Sequence, residues 1–528
     1  MKINNIQNKN QEYKTPTFGA LNLSPLSNAL YTLNNNDMLN ASFVDIFAMD
    51  TPRTIVETKY RGKQAGIEMG FREYTGTFIA EFSAIVFAML GAKLFNKFHK
   101  PSITANNSSW VTNKGLDTFN EIFSKTDKTP SGFVDGVLDS MTGLVGSEYK
   151  KFNSIDKEKT KTIKETLTKL ITENSDKKTI KKTLTNVQDD IVKLLGADNN
   201  IILKSGDKEF GANLTHVLRD TIDMGKNVFF KEGANHSDII KKLKFLNNSK
   251  IAFAIPASML LALSNQYINR QLTKKRTGID NFVGENGYEN NVADKKNKGK
   301  EKGLLAKKML SAGVFLLMLS SVMGLKKPAD LVRKLEFDGP ATGGNAIKTI
   351  YGTLILGRIF ASKDSTELRE TNVRDYLGFL NWLVLGGFVS KGVAQALDPK
   401  QKNLFNISKK GSGITHWLKN VSLKSQKEII AQGGNVKKNL RNLNIAQISG
   451  IAYSAIMLGV LLPKLNIWMT KHNKGFNLNP FKKNDDSQVA QQQEIKKQQL
   501  NFKSKANNGY ISMVDFQKSL DNRKSYSA

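Results

Sequence analysis

Cysteine is absent from this chain of 528 residues. Its absence excludes disulfide bridges, thiolate nucleophiles and thiolate metal ligands, and it leaves the redox compartment open. A cleaved signal peptide is not expected either, because the N-terminal "MKINNIQNKNQEYKTPTFGALNLS" lacks the apolar run of about 7 to 15 residues that such a peptide needs. Any insertion into a membrane is therefore expected to depend on internal segments.

Arginine is scarce, although the chain carries a formal charge of +31. Only 12 of its 78 basic residues are Arg, and asparagine is abundant beside the many lysines. Lys and Asn share AT-rich codons, so genome composition is an alternative to selection for a ligand as the source of part of the charge. A phosphate-binding surface would favour Arg, whose planar fork grips phosphate with two hydrogen bonds. Nucleic acid is therefore not the expected partner, whereas anionic lipid headgroups are expected at the basic loops.

Motifs for catalysis are lacking as well. The sequence has no GxxxxGK[ST] loop for phosphates and no GxSxG elbow for a nucleophile. Its histidines are isolated, and no two of them have the i, i+4 spacing that places two imidazoles on one helical face for zinc. They are His99, His216, His236, His416 and His472. We therefore predict no catalytic, cofactor-binding or metal-binding residues, and no enzymatic activity.

Six apolar stretches stand out from a polar background. A helix needs about 20 residues to cross a hydrocarbon core of about 30 Å, and the longer stretches approach that length. The stretches are 77–95, 251–268, 310–325, 346–361, 376–390 and 444–462. They predict an all-α fold, namely a multi-pass helical membrane bundle of about five to six spans with an additional soluble helical domain and polar termini.

Three features of these stretches favour a membrane over a soluble core. Several are apolar around the whole helix. Lysines flank them, as Lys307 and Lys326 flank the stretch 310–325. Small residues such as Ala84 and Ala88 recur at spacing four, which lets helices pack closely in lipid. The alternative is a soluble core, because soluble helices also pack on alanine and the mean hydropathy of −0.36 is that of a soluble chain.

The segments between and beside the stretches define the expected domain plan. They are a polar, largely irregular N-terminal segment at 1–50, a glycine-ridged juxtamembrane element at 51–76, a first apolar helix at 77–98, a soluble helical domain at 99–250, a helical membrane bundle at 251–463 with basic loops at 269–302 and 391–443, and a polar, disordered tail at 464–528. Within the soluble domain, Ile163, Leu167 and Leu170 recur at helical spacing, and Gly196 is a natural helix stop.

Four polar residues inside the apolar stretches are candidate functional positions: Glu81, Arg358, Asn381 and Gln447. A charge at mid-bilayer costs about 2.5 to 3.5 kcal/mol, so a buried one is a functional candidate. An ion pair between Glu81 and Arg358 is conceivable. Alternatively, Glu81 lies about one turn into its stretch, where a carboxylate at a helix N-terminus could reach the interface.

Gly62, Gly66 and Gly70 recur at spacing four within the segment 51–76. On a helix they would form a bare packing ridge for another backbone, and the alternative is a flexible glycine-rich connection. Because the segment also carries several charges, we expect an amphipathic or juxtamembrane element instead of a membrane span.

Orientation is only partly determined by the basic flanks. The positive-inside rule assigns the basic loops 269–302 and 391–443 to the cytoplasm, which requires the charged stretch 346–361 not to cross. If this stretch does cross, the two loops lie on opposite sides. The sequence leaves both alternatives open.

Together these observations predict a non-enzymatic multi-pass membrane protein, without cofactors, that acts by binding, scaffolding or passage of a solute. We expect it in the bacterial inner membrane, with the lipid bilayer and a protein partner or a second copy as its partners. The alternative is a soluble or peripheral basic all-helical protein that binds anionic lipid or nucleic acid.

Overall fold

The computed structural model describes residues 23–98, 111–152, 157–233, 235–278, 303–327, 329–335, 337–338 and 341–472. This part of the chain is mostly helical, which confirms the all-α fold class. It divides into two compact units that each combine distant segments. Unit 1 takes its residues from 1–35, 106–244 and 394–445, and unit 2 takes its residues from 36–105, 245–393 and 446–528.

Helices follow one another along the chain with few strands between them. In chain order the helices are α1 (Pro25–Asn34), α2 (Asp37–Phe43), α3 (Thr51–Arg61), α4 (Lys63–Phe78), α5 (Ala84–Phe98), α6 (Asn113–Ser124), α7 (Pro130–Ser140), α8 (Lys157–Thr172), α9 (Lys177–Leu195), α10 (Leu214–Met224), α11 (His236–Thr277), α12 (Leu304–Met323), α13 (Ala329–Lys334), α14 (Gly344–Ala361), α15 (Ser365–Leu380), α16 (Gly386–Leu397), α17 (Ile414–Asn420), α18 (Gln426–Gln432), α19 (Val436–Ser454) and α20 (Leu462–Lys471). The strands are β1 (Met141–Val145), β2 (Glu148–Lys151), β3 (Ile201–Ser205), β4 (Lys208–Ala212), β5 (Phe337–Asp338), β6 (Ala341–Thr342), β7 (Phe405–Ile407) and β8 (Val421–Leu423).

Wider π-helical turns join several of these helices end to end. The turn Val44–Asp50 joins α2 to α3, Ile79–Ser83 joins α4 to α5, Asn381–Leu385 joins α15 to α16, and Ala455–Leu461 joins α19 to α20. The residues at each junction keep right-handed helical angles, so each joined pair forms one continuous helix. A further π-helical turn, Gly225–Phe229, ends α10.

Unit 1 contains a four-stranded antiparallel sheet in the order β2-β1-β3-β4. Gly146 and Gly206 have positive φ angles of 65° and 57° in the two hairpin turns, a conformation that costs glycine little because it lacks a Cβ. The sequence analysis predicted a soluble helical domain for 99–250 and did not identify these strands. Strands of four or five residues are too short for their alternation to stand out from helical neighbours.

The segment 391–443 also differs from its prediction as a basic loop. From residue 394 onward it belongs to unit 1, where β7 pairs with β8. Glu428, at the start of α18, accepts the backbone N–H groups of Asp198 and Asn199 at 2.9 and 2.8 Å. Partners more than 200 residues away in sequence cannot be identified from local charge composition.

Aromatic rings and the predicted helical stripes fill the core of unit 1. Phe123 stacks on Phe229 with ring centroids 4.2 Å apart. The predicted apolar positions Ile163 and Leu167 are buried on α8. Gly196 ends α9 in the left-handed conformation, which confirms the helix stop predicted there.

The N-terminal region is helical from residue 25 onward, so the predicted irregular segment is wrong for 25–50. Ser24 caps α1 by accepting the N–H of Ser27, and Pro25 occupies the first turn. Asn36 caps α2 in the same way. These capping signals outweigh the asparagine-rich composition on which the prediction relied. Residues 1–22 lie outside the described residues.

Four helices in the described part of the chain are long and apolar enough to cross a membrane. They are Lys63–Leu94, His236–Thr277, Leu304–Met323 and Val436–Thr470. The other two predicted stretches, 346–361 and 376–390, lie in α14 and in the continuous helix of α15 and α16. The described part of the chain thus has four candidate spans, whereas the sequence predicted about five to six.

Two predicted boundaries move because helices extend further than expected. The α11 helix continues to Thr277 inside the predicted loop 269–302, and α20 continues to Lys471 inside the predicted polar tail. The remaining parts of that loop and tail, 279–302 and 473–528, lie outside the described residues.

The core of unit 2 is centred on α14, which is buried on almost every side. By contrast, α12 has one buried side and one exposed apolar side. Phe315 and Leu319 are buried there, whereas Leu310 and Leu317 are 71% and 72% exposed. Unit 2 therefore combines an enclosed central helix with outer helices that expose large apolar side chains.

Candidate functional site

Half of the 12 arginines are buried inside unit 2. They are Arg53, Arg61, Arg72, Arg270, Arg358 and Arg374, and none of them is more than 6% exposed. Burial of an unpaired guanidinium would be very costly, so each needs a carboxylate or several acceptors nearby. The scarce arginines of a lysine-rich chain thus mark one interior region.

Glu73 on α4 is shared by three of these arginines. Its Oε1 lies 3.1 Å from Arg53 Nη1 and 3.4 Å from Arg72 Nη2. Its Oε2 lies 3.1 Å from Arg358 Nη2. One carboxylate therefore connects α3, α4 and α14.

Arg358 also binds a second carboxylate, on α15. Its Nη1 lies 3.1 Å from Asp375 Oδ1, and the neighbouring Arg374 grips Asp375 through Nε at 2.7 Å and Nη2 at 3.1 Å. Arg358 thus bridges Glu73 and Asp375, which belong to different helices. A bidentate guanidinium fixes the direction as well as the distance of such contacts.

Glu370 on α15 forms the next junction. Arg61 donates to its two oxygens at 3.3 and 3.1 Å, and the hydroxyl of Thr470 donates to the same carboxylate. Asn466 Nδ2 donates to the backbone oxygen of Glu370 at 3.2 Å. Glu57 lies one turn before Arg61, with Oε2 3.6 Å from its Nε. These contacts add α20 to the network.

Arg270 on α11 forms a further buried ion pair, with α15. Its guanidinium donates to the Glu367 carboxylate and to the backbone oxygen of Ala361. Nearby, Lys307 donates to the hydroxyl of Ser365 at 2.7 Å, which ties the first turn of α12 to the start of α15. We call these buried ion pairs together the ionic layer; its members are Arg53, Glu57, Arg61, Arg72, Glu73, Arg270, Arg358, Glu367, Glu370, Arg374 and Asp375.

A second polar group lies beside the ionic layer and has a different character. The side chains of Asp45, Asp50 and Glu81 are fully buried. Thr77 donates to Asp50 Oδ2 at 2.8 Å, and Ser42 donates to Glu81. In the described part of the chain no Lys or Arg lies within ion-pair distance of Asp45 or Asp50.

The predicted candidate residues fall at separate places in unit 2. Arg358 belongs to the ionic layer, but it pairs with Glu73 and Asp375 and not with Glu81 as was conceivable. Glu81 lies in a π-helical turn well inside a helix that begins at Lys63, so it has no helix N-terminus to reach. The interface position suggested for Glu81 therefore stays a prediction without support from a helix N-terminus.

The two uncharged candidates, Asn381 and Gln447, lie on the α15–α16 helix and on α19. Asn381 donates to the backbone oxygen of Leu377 at 2.7 Å and accepts the hydroxyl of Tyr453 at 2.8 Å. It therefore links the α15–α16 helix to α19. Gln447 is buried on α19. Neither residue belongs to the ionic layer.

The three glycines have two different roles. Gly62, with a φ of 93°, ends α3 and lets the chain reverse into α4. A Cβ at Gly66 would lie 1.8 Å from Thr58 Oγ1, and one at Gly70 would lie 3.4 Å from Thr54 Cγ2. Gly66 and Gly70 thus face α3, and the segment 51–76 is a close helical hairpin.

Sequence reasoning missed the acidic half of the ionic layer. The charges of 51–76 were taken as evidence for an amphipathic or juxtamembrane element, and Glu370 and Asp375 were not considered. One signal was available: Arg53, Glu57 and Arg61 recur at i, i+4 spacing in a chain that otherwise uses lysine.

A third polar cluster is buried in unit 1 around Glu428. Its carboxylate accepts the N–H groups of Asp198, Asn199 and Ser425 and the amide of Asn406, at 2.8 to 2.9 Å. Burial and the neighbouring Asp198 carboxylate raise the pKa of Glu428 to about 7, against these hydrogen bonds, which lower it. Burial also raises the pKa of Asp198. This cluster joins segments that are distant in sequence into one unit.

The contacts of the ionic layer connect helices to one another. Its arginines and carboxylates are engaged with each other, so they hold helices together. No group of three His, Cys, Asp or Glu side chains in the described residues could hold a metal ion. No protein-family model, curated protein or solved structure matches this chain.

Proposed function

We propose that this chain is a non-enzymatic multi-pass membrane protein in which unit 2 is embedded in lipid and anchors unit 1 to the membrane. The observation that carries the proposal is the inside-out polarity of unit 2. Six arginines and their carboxylate partners lie in the interior, and large apolar side chains cover the outer sides of its candidate spans. Water favours the opposite arrangement.

The exposed apolar side chains support lipid contact on each candidate span. They include Leu305 and Leu317 on α12, Phe78 and Met89 on the Lys63–Leu94 helix, Phe253 and Leu260 on α11, and Ile456 and Trp468 on the Val436–Thr470 helix. Burying one such side chain is worth about 1.5 to 3 kcal/mol. Soluble monomers rarely expose continuous apolar patches beyond a few hundred Å². Lipid removes this cost without a protein partner.

The ionic layer fits the same environment. A charge facing lipid is expensive, so charged residues of membrane bundles turn inward and pair with one another. Removing one partner of a buried pair leaves an uncompensated charge, which favours a single arrangement of the helices over alternatives. We infer that the ionic layer fixes the register of the bundle and makes it a rigid anchor.

Chain connectivity requires the stretches 346–361 and 376–390 to behave alike. The segments 106–244 and 394–445 fold together in unit 1, so they lie on the same side of the membrane. The chain between them must then cross an even number of times. Since α11 and α12 are candidate spans, the stretches 346–361 and 376–390 either both cross or both do not.

Packing inside unit 2 favours crossing for both stretches. Lys308 at the start of α12 donates to the backbone oxygen of Phe360 at the end of α14, and Gly352 in the middle of α14 faces Leu319. The two helices are therefore antiparallel along their length and cover the same depth. Phe315 of α12 also packs on Phe379, so α12 contacts the α15–α16 helix as well. The sequence analysis also considered that 346–361 alone does not cross. That case gives an odd number of crossings between 106–244 and 394–445, so it does not place these segments on the same side.

Orientation follows from the short connections. With these crossings, α11 begins on the membrane side of the segment 106–244 and ends on the other side. Its end carries the exposed basic residues Lys274, Lys275 and Arg276. Positive charge in short loops marks the cytoplasmic side, whereas long folded segments translocate largely regardless of charge. We therefore propose a bacterial inner membrane protein with unit 1 outside the cytoplasm.

Extraction at alkaline pH tests the proposal directly. Membranes from cells that express the chain are washed with sodium carbonate, and the chain is followed in pellet and wash. Embedded helices keep the protein in the pellet, because the wash disrupts ionic contacts but leaves the bilayer in place. Recovery of the intact chain in the wash would instead support the soluble or peripheral basic protein.

Solute passage is a second candidate, favoured by Asp45 and Asp50. Both carboxylates lie inside unit 2, and no Lys or Arg of the described residues lies within ion-pair distance of either. Such groups could accept a proton in transit. Asp50→Asn should abolish proton flux into proteoliposomes that report internal pH by a dye, and Asp207→Asn, exposed in unit 1, is the matched control. Equal flux for wild type and empty liposomes would remove this candidate and leave the anchor.

A further inference from the structure

We propose that the continuous helix of residues 37–61 is an additional membrane span whose outer side contacts lipid acyl chains. This inference rests on the proposed membrane embedding of unit 2. The helix consists of α2, the π-helical turn Val44–Asp50 and α3. At about 1.5 Å per residue its 25 residues extend over about 37 Å, which exceeds a hydrocarbon core of about 30 Å.

The two sides of this helix have opposite character. Most of its charged side chains are buried: Asp45, Asp50, Arg53, Glu57 and Arg61 are at most 2% exposed, whereas Asp37 and Lys59, near its two ends, are exposed. Phe47 and Ile55 are 63% and 60% exposed. Composition alone therefore does not identify this helix as a span. Its charged residues lower the mean hydropathy, although most of their side chains point into the protein.

Candidate spans flank the helix on two sides. Toward Lys63–Leu94, Thr77 donates to Asp50 and Arg53 pairs with Glu73. Toward Val436–Thr470, a Cβ at Gly459 would lie 2.7 Å from the backbone oxygen of Ala48. A helix that packs this closely between two spans shares their depth in the bilayer. Its outward apolar side then continues the lipid-facing surface of its neighbours.

The number of crossings between α1 and α6 must be even, which also requires the helix 37–61 to cross. The α1 helix belongs to unit 1, where Gln188 donates to the hydroxyl of Tyr31 at 2.8 Å and Asn444 donates to Ser27 at 2.8 Å. The chain therefore leaves the side of unit 1 after α1 and returns to it before α6. The helix Lys63–Leu94 supplies one crossing, and the twelve residues 99–110 are too short and polar to supply another. The helix 37–61 is the crossing that remains.

Ion pairing explains how lipid tolerates this helix. Arg53 and Arg61 each reach a carboxylate on another helix, Glu73 and Glu370 respectively. These two arginines are thus paired inside the bundle and do not face acyl chains. The helix 37–61 begins next to α1 and ends at the hairpin turn at Gly62. A crossing by this helix therefore places Gly62 on the membrane side opposite α1.

Single spin labels test the lipid-facing side, because the chain has no native cysteine. Labels at Phe47→Cys and Ile55→Cys are compared in reconstituted full-length protein for collision with oxygen, which concentrates in lipid, and with a water-soluble nickel chelate. Leu317→Cys is the span reference, and Ser412→Cys, exposed in unit 1, is the water reference. Variants that elute as wild type in size-exclusion chromatography are used.

Labels at positions 47 and 55 should collide more with oxygen than with nickel, like the label at position 317. If both behave like the label at position 412 while position 317 remains in lipid, the inference is wrong and the membrane proposal survives. If position 317 is also open to nickel, the membrane proposal fails and this inference fails with it.

Thiol labelling tests the crossing independently of the lipid contact. Lys63→Cys lies beside the hairpin turn, and Asn28→Cys and Asn174→Cys lie in two segments of unit 1. A membrane-impermeant maleimide added to spheroplasts and to inverted vesicles should modify position 63 from the side opposite to positions 28 and 174. Modification of positions 28 and 63 from the same side would overturn the inference.

Discussion

Glu73 is the residue whose loss should disturb the bundle most, because three buried guanidinium groups lie within 3.4 Å of its carboxylate. We expect Glu73→Gln to lower the free energy of unfolding by about 3 to 5 kcal/mol, since it leaves Arg53 and Arg358 without full compensation. Unfolding of the detergent-solubilised protein by a denaturant series measures this loss.

Glu121→Gln is the matched control for Glu73→Gln. Glu121 pairs with Lys125 at 2.9 Å on the exposed side of α6, where water screens both charges. Removal of this pair should cost less than about 1 kcal/mol. Equal losses for the two variants would contradict the importance assigned to the ionic layer.

The close approach of α3 and α4 depends on Gly66. Because an added Cβ would overlap Thr58 Oγ1, Gly66→Ala should lower the free energy of unfolding by about 1 to 3 kcal/mol. The double variant with Thr58→Ala should recover part of this loss. Gly313→Ala is the control, since nothing lies within 4 Å of its added Cβ. A stable Gly66→Ala protein would mean that the hairpin is looser than described.

The Glu428 cluster makes the stability of unit 1 depend on pH. The pKa of Glu428 is about 7 in the folded chain and about 4.5 for an ordinary Glu, so the folded state binds more protons between these values. Stability should therefore fall as pH rises from about 4.5 to about 7, by up to about 3 kcal/mol.

Hydrogen exchange of the α9 amides, corrected for the intrinsic effect of pH, measures this slope. Glu428→Gln should remove the part of the slope that Glu428 contributes, whereas Glu209→Gln, exposed on β4, should retain it. A wild-type slope of opposite sign would show that the four hydrogen bonds to the carboxylate outweigh its burial.

At the scale of elements, the sequence predicted what depends on local patterns. The helix stop at Gly196 and the buried stripe of Ile163 and Leu167 followed from spacing alone. The short hairpins escaped notice because four or five residues give too little alternation to detect. Likewise, the caps at Ser24 and Asn36 were overlooked among many polar residues.

The ionic layer could not be predicted because its pairs are distant in sequence. Arg61 meets Glu370 more than 300 residues later, and Arg358 meets Glu73 across a similar gap. A charge on a helix looks exposed until its partner is known. For this reason the charges of 51–76 were taken to exclude a span, although those that pair with other helices point inward.

The turn between α14 and α15 decides whether these two elements cross. If both cross, Lys363→Cys lies on the same side as Lys275→Cys, at the exposed end of α11. The impermeant maleimide should then modify positions 275 and 363 from one side and Ser412→Cys from the other. Modification of position 363 together with position 412 would mean that neither α14 nor the α15–α16 helix crosses.

At the scale of the whole molecule, the arginine distribution and the exposed apolar surface support the same conclusion. The chain contains far more lysine than arginine, yet six of its arginines are buried in unit 2. Arg forms planar, bidentate contacts that remain charged when buried, which lysine does less well. An interior held by arginine pairs and an exterior of Leu, Ile and Phe are suited to a nonpolar solvent.

The most direct measurement is the behaviour of the purified full-length chain when detergent is removed. The protein is divided into two portions, one reconstituted into lipid nanodiscs and one transferred to plain buffer, and both are analysed by size-exclusion chromatography with light scattering. Because unit 2 needs lipid around its apolar exterior, we predict a monodisperse particle in nanodiscs and aggregation in buffer. A folded, monodisperse protein in plain buffer would contradict the account.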